Sequence, residues 1–401
     1  MAEAPRVILK SGKDQSLMRY HPWVFSGAVK KTKGSFTEGD VVDVYNNKDH
    51  FLGKGHYQPA AITVRMLTFE ERGIDQAFFR EKLQSAIDLR KKAGLMDDDA
   101  TNVFRLVNAE GDLLPGLTVD VYGEFIMLQL YSRMWESFRE PLVQALQRLV
   151  RPQGIYEKFR PRKTRALEKK GDKRYSSLLL GQQAPHNLRV RENGLLFEVD
   201  LNYGLHTGLF MDQRQNRKDI MPFCDGKRIL NLFSFTGAFS VVAAASGAAE
   251  VTSVDASTPY QNRARSNFEI NRLDPRKHQF IVGDCHKVLE RLAQEGRRFD
   301  MVIMDPPSFS TVGKNRFTTS GGTANLVASV LGLLEEGGSL ITSSNHQKVD
   351  VAEYLKELRR GALQAATPLR IIRTSGQGAD FPFLITCPEG RYLKYVVAIK
   401  G

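Results

Sequence analysis

The chain has 401 residues, 42% hydrophobic and 25% charged, with a net charge of +12; this suits two or three domains with real cores and excludes a disordered chain. Its three cysteines, Cys224, Cys285 and Cys387, are too few and too scattered for a disulfide framework or a zinc site, so no metal is expected. The opening MAEAPRVILKSGKDQ has no apolar core of a signal peptide, and no run of about 18 apolar residues occurs, so a soluble cytoplasmic protein with no membrane partner is expected.

From Arg6 to Thr68 short strand-type runs dominate: RVILK, DVVDVYN, FLGKGHY and AITVRML. They are broken by Gly, Asn and Pro, and a small β-barrel module over residues 1–72 is expected. Inside it, HPWVFSGAV sets Trp23 and Phe25 close to Lys30, Lys31 and Lys33; Trp23 reads equally as a platform for RNA bases and as core. A helix over Asp75–Gly94, the alternating segment VFRLVNAEGDLLPGLTVDVYGEFIMLQLY and a helix over Ser137–Leu149 predict an α+β middle domain, 73–186. It closes on dense charge. Between Arg151 and Arg191 twelve Lys/Arg stand against three Asp/Glu, and the densest part, Arg160–Arg174, opens with Arg160, Arg162, Lys163 and Arg165. An isolated charge run is often plain solvated surface, but so much of the excess charge in one place favours a phosphate-binding face.

From 187 to 401 the pattern changes. Strands are expected at GLLFEVDL, RILNLF, EVTSVDA, QFIVGD, FDMVIMD, GSLITSS and YLKYVVAI, with helices at Ala238–Ala245, Tyr260–Asn271, Lys287–Gln294, Thr323–Leu334 and Ala352–Ala365. Such alternation predicts an α/β, doubly wound, mostly parallel sheet. Ligands of these sheets bind beyond the carboxyl ends of the strands.

The residues there form a constellation. After RILNLF the chain runs through Phe233, Ser234, Phe235, Thr236 and Gly237, the glycine permitting close backbone approach at a helix start. Asp255 and Ser257 follow the next strand, Asp255 where a carboxylate can hold ribose hydroxyls; Asp284 and Cys285 follow the third, able to bracket an adenine edge. The fourth ends in Asp305, Pro306, Pro307 and Phe309. Each acid alone reads as a helix cap, and two prolines can simply end a strand, but four polar strand ends in order point to a nucleotide. The missing G-x-G-x-x-G disfavours a pyrophosphate, and with it a nicotinamide-dependent oxidoreductase. S-adenosylmethionine, an adenosine with an aminoacyl tail and no phosphate, fits.

At these residues the sequence resembles the class I methyltransferases. More narrowly, HPWVFSGAV, LPGLTVDVYG, HTGLFMDQR, LNLFSFTGAFSV, SVDAS, MDPPSFS and CPEGRYLK are similar to bacterial large-subunit (23S) ribosomal RNA methyltransferases that carry an N-terminal PUA domain. The resemblance runs nearly end to end. It implies a PUA barrel, a Rossmann-like catalytic sheet, and ribosomal RNA or a large-subunit precursor as partner. It also implies that Gln213 and Arg214 border the cofactor pocket together with Phe233–Gly237, Asp255, Asp284 and Asp305. A homodimer is left open.

One departure bears on the reaction. Cytosine-C5 members of this family keep a cysteine after the strand that matches GSLITSS, and its thiolate adds to C6 so that C5 can take the methyl. Here Ser343, Ser344 and Asn345 stand at those positions, followed by His346. The SSNH run looks more like related guanine-N7 methyltransferases, whose acceptor nitrogen has a lone pair and needs no covalent help. Asp305 can then accept from the base edge and Phe309 can stack on a flipped base. A purine nitrogen is the expected target, cytosine C5 the rival, and an inactive RNA-binding assembly factor a third reading.

Overall fold

The computed structural model describes residues 5–96, 98–159, 175–307, 309–312 and 315–401, of which 159, 309–312 and 315–321 are described in backbone alone. The chain divides into two compact units. One comprises Met1–Leu188, Asp200–Thr207 and Ala379–Gly390; the other comprises Arg189–Val199, Gly208–Gly378 and Arg391–Gly401. No helix among the described residues is long and apolar enough to cross a membrane.

In the first unit a six-stranded sheet runs in the order Trp23–Phe25, Ile62–Thr68, Phe51–Tyr57, Val41–Tyr45, Arg6–Leu9, Val29–Lys33. Its core is Val7, Leu9, Leu17, Val24, Val42, Val44, Val64 and Met66, the inward half of each period-two strand. A second sheet of five strands joins Val103–Asn108, Leu117–Tyr122, Phe125–Leu130, Gly154–Phe159 and Ser176–Gly181. Helices Gln76–Lys92 and Met134–Leu149 cover it through Phe78, Phe79, Leu83, Trp135, Leu142 and Leu146. Alternation in this segment predicts one wet face, yet Leu117–Tyr122 and Phe125–Leu130 are buried on both faces. Several of their polar groups are paired: Asp120 takes a fork from Arg105 (2.7 and 3.0 Å), Gln129 Nε2 donates to Asp120, and Tyr122 Oη meets Thr207 Oγ1 at 2.9 Å. Paired polar groups are what make such burial affordable.

The second unit holds a seven-stranded sheet: β1 Arg228–Leu232, β2 Glu250–Asp255, β3 Gln279–Val282, β4 Phe299–Met304, β5 Leu334–Ser344, β6 Leu369–Ser375 and β7 Lys394–Lys400. The spatial order is β3-β2-β1-β4-β5-β7-β6. The first five run parallel, while β7 is antiparallel to both β5 and β6. The chain order reverses between β1 and β4, so the crevice at their carboxyl ends is the expected ligand position. Two expectations shift. The helix expected over Thr323–Leu334 lies at Thr319–Leu331, because Gly332 ends it and the buried pair Leu333 and Leu334 leads into β5. β6 has no counterpart among the expected strands: it is an edge strand whose middle residues are exposed, so it lacks a buried apolar run.

Gly237 opens the helix Ala238–Ala245 with φ +76°, and a Cβ there would lie 2.8 Å from Ala264 Cβ on the helix Thr258–Ile270. Gly237→Ala therefore meets both a left-handed backbone and an overpacked helix contact, together costing about 2–4 kcal/mol. A clearly lowered melting temperature is expected; an unchanged one would show that the two helices do not pack this closely.

Candidate active site

At the end of β4 the carboxylate of Asp305 is held from two sides. Ser343 Oγ, at the end of β5, donates to Oδ1 at 2.6 Å, and Gln213 Nε2 donates to Oδ2 at 3.1 Å. Gln213 Nε2 also reaches Ser343 Oγ at 3.0 Å, and Asn216 Nδ2 donates to Gln213 Oε1 at 2.7 Å. Gln213, Asn216 and Ser343 are buried, whereas Asp305 keeps a partly exposed side. Burial pushes the Asp305 carboxyl above the ordinary range, opposed mainly by the Ser343 hydrogen bond. Each carboxylate oxygen carries one protein donor and retains a lone-pair site for another. Pro306 is buried and Pro307 exposed.

The turn after β1 is strained. Phe233 (φ +56°) and Phe235 (φ +51°) both sit in the left-handed region ahead of Gly237, at about 1–3 kcal/mol for each non-glycine residue. Hydrogen bonds hold it there. Ser234 N donates to Val254 O (2.9 Å), Phe235 N to Asp255 Oδ2 (2.9 Å) and Thr236 Oγ1 to Gly208 O (2.6 Å). Gln261 Nε2 fixes the Ser234 hydroxyl at 2.9 Å, and Asn267 Nδ2 the Thr236 carbonyl at 2.9 Å. The Phe235 ring lies 5.0 Å from that of Phe210 and 4.4 Å from that of Tyr260.

Asp255, after β2, accepts from Phe235 N and, through Oδ1, from Ser257 N (2.9 Å); burial raises its carboxyl and these two amides oppose the rise. Asp284 caps the helix Cys285–Gln294 by accepting from the amides of His286 and Lys287, and Cys285 is buried in the core behind it. A recess at this end of the sheet is lined by Gly208, Phe210, Gln213, Arg217, Phe233–Thr236, Phe239 and Asp305, among others. Asp255, Ser257, Asp284, Cys285 and Arg214 are not among its lining residues. Arg214 is buried at the start of the helix Arg214–Ile220.

A profile described as S-adenosylmethionine-dependent methyltransferase matches residues 122–383, and one described as a PUA-like domain matches 7–69. The chain belongs to the S-adenosylmethionine-dependent methyltransferase family. Relatives named ribosomal RNA large subunit methyltransferase I, from Escherichia coli O157:H7 and Shigella flexneri serotype 5b, are each 36% identical over 391 residues, 97% of this chain and 98% of theirs. Among solved structures, SMU.776, described as a methyltransferase complexed with SAH, is similar with 29% identity and a TM-score of 0.89 over 98% of this chain and 99% of that one. A protein from Streptococcus mutans described as SAM-dependent has 28% identity and a TM-score of 0.86 over the same shares.

S-adenosylmethionine is thus the donor of this methyltransferase, and the recess suits it chemically. Its lining carries the aromatic side chains Phe210, Phe233, Phe235 and Phe239, the kind of faces that purines and sulfonium groups favour. Two features of the site gave no signal in the sequence. Arg217 lines the recess and forks onto Glu192 (Nε to Oε1 2.6 Å, Nη2 to Oε2 2.7 Å), a pair buried on both sides. Its members are 25 positions apart, outside any local charge pattern. Asn216, which orients Gln213, is likewise unremarkable in sequence.

The thiols lie elsewhere. Cys224, Cys285 and Cys387 are all buried, and burial pushes each up to about 12. None lines the recess. Trp23 is half buried; its indole N–H donates to Glu110 (3.0 Å) and Arg65 lies over its ring at 5.2 Å. The aromatics left exposed on that module are Tyr20 and Phe25. Arg160, Arg162, Lys163 and Arg165, and the side chain of Phe309, lie outside the described residues.

On β7, opposite Ser344, Lys394 is 2% exposed, and burial pulls its ammonium down to about 8. Above that value the unfolded chain holds a proton that the folded one has released, so this group adds stability as pH rises from about 8 towards its ordinary value near 10.5. Lys394→Met lacks this gain. The stability of wild type relative to the variant should rise between pH 8 and 10 in denaturant titrations; a constant difference would show an unperturbed ammonium.

Proposed function

We propose that this methyltransferase modifies a base of large-subunit ribosomal RNA at a purine nitrogen, guanine N7 or an exocyclic amine. The relatives named for the ribosomal large subunit, alike over almost the whole chain, support the substrate class. So do the PUA-like module and the basic run Arg160–Arg174. The choice of atom rests on one observation: at the end of β5 stand Ser343 and Ser344, and every thiol is buried and held far above neutral pH. A serine hydroxyl at neutral pH is too weak a nucleophile to activate cytosine C5, and that of Ser343 is occupied in donating to Asp305.

Bound in the recess, S-adenosylmethionine supplies an electrophilic methyl on sulfur. The protein's part is alignment and a fixed electrostatic environment. Ser343 and Gln213 fix the Asp305 carboxylate, whose remaining lone pairs accept N–H groups of the purine edge and turn the nitrogen lone pair towards the methyl. Pro306 and Pro307 stiffen that acceptor. A ring nitrogen such as N7 needs no base. An exocyclic amine sheds its proton after transfer, and Asp305, raised by burial, is placed to take it.

The purified protein, given unmodified large-subunit RNA and labelled donor, should yield a methylpurine on nucleoside mass spectrometry; 5-methylcytidine would overturn the choice of atom. Asp305→Asn should lower the transfer rate by about 10²–10³-fold, while Cys224→Ala, Cys285→Ala and Cys387→Ala retain it. Loss of transfer in a folded cysteine variant would restore a thiol mechanism.

A further inference from the structure

The motif CPEGRYLK near the C-terminus has no part in the account so far, and two of its side chains point to one. Lys394 Nζ, buried on β7, donates to the carbonyls of His346 and Tyr392, both at 2.7 Å. Tyr392 Oη in turn donates to Asp212 Oδ2 at 2.7 Å. Asp212 directly precedes Gln213, whose amide holds Asp305 and Ser343. These contacts join three segments far apart in sequence. One is the turn that leaves β5 through Ser344, Asn345 and His346; the others are the entry to β7 and the Met211–Gln213 turn.

A buried lysine serving only backbone carbonyls is an expensive way to tie loops together, since an apolar side chain of the same length avoids desolvating an ammonium. Its position accounts for the expense. Ser344 is the cross-strand partner of Lys394, so the ammonium sits where β5 stops and no ladder holds the chain. Past Ser344 a local turn begins, with Val349 N donating to His346 O at 3.1 Å. The His346 carbonyl therefore serves both the local turn and Lys394, and the lysine fixes where that turn lies.

We propose that Lys394 and Tyr392 act together as positioning residues for methyl transfer, clamping the Ser344–His346 turn and the Asp212–Gln213 pair into the register in which Ser343 and Gln213 hold Asp305. Neither residue lines the donor recess; the clamp reaches it only through Gln213 and Asp305, which do. The inference rests on the reading of Asp305 as the group that orients the base.

The test combines three variants of the full chain, Lys394→Met, Tyr392→Phe and the double, with three readouts. Single-turnover methyl transfer to large-subunit RNA should fall by about 10–100-fold in each single variant, and the double should be little worse than the poorer single, because the residues act as a unit. Affinity for SAH should stay near that of wild type. Amide hydrogen exchange over 344–349 should quicken by about tenfold or more in Lys394→Met, through easier local opening. Rates near wild type, losses that multiply in the double, or a fall in SAH affinity matching the fall in rate would each overturn the clamp. If Lys394→Met does not fold, Tyr392→Phe, which removes one oxygen atom, decides alone on rate and exchange over 211–213. If the wild-type protein transfers no methyl to any RNA, the functional reading fails instead, and the exchange measurement still tests the clamp: unchanged protection refutes it.

Discussion

The buried meeting of Asp305, Ser343 and Gln213 is the constraint on which the rest of the site depends. A carboxylate at the end of a buried strand is costly unless its oxygens are bonded, and here one donor comes from the neighbouring strand and another from a helix start 92 positions away in sequence. That satisfaction fixes the ends of β4 and β5 relative to each other and to the Met211–Gln213 turn. Two of the three, Gln213 and Asp305, line the recess, and the proposed seat of the acceptor base lies against Asp305.

The strained turn after β1 supplies the opposite wall. Two aromatic residues in left-handed conformations would relax if released, and Asp255, Val254 and Gly208 hold them through backbone and hydroxyl hydrogen bonds. The turn sets the Phe235 ring against those of Phe210 (5.0 Å) and Tyr260 (4.4 Å). Rigidity on both sides suits a reaction whose rate comes from alignment.

Much of this was legible in the sequence because the α/β alternation is strong and the polar residues stand immediately after apolar strands. Six strands of the catalytic sheet and the residues at their ends followed from that pattern alone. β6 did not, since an exposed edge strand carries no apolar signature. The Arg217–Glu192 pair and the Asn216–Gln213 contact did not either, because long-range pairing leaves no mark on local periodicity. Trp23 shows the converse limit. Its neighbours in sequence left platform and core equally open, and its contacts with Glu110 and Arg65 come from tertiary pairing that sequence spacing does not carry.

The absence of a thiol at the end of β5 is a statement about chemistry as well as about residue type. With every cysteine held near 12 by burial, the proposed reaction relies on geometry and a carboxylate. The most direct check is a crystal structure of the protein with SAH and an RNA fragment that carries the target base. The account predicts SAH in the recess beside Phe235 and Asp255, with a purine edge against Asp305. SAH bound elsewhere, or a pyrimidine seated against Ser344 with Asp305 turned away, would contradict it.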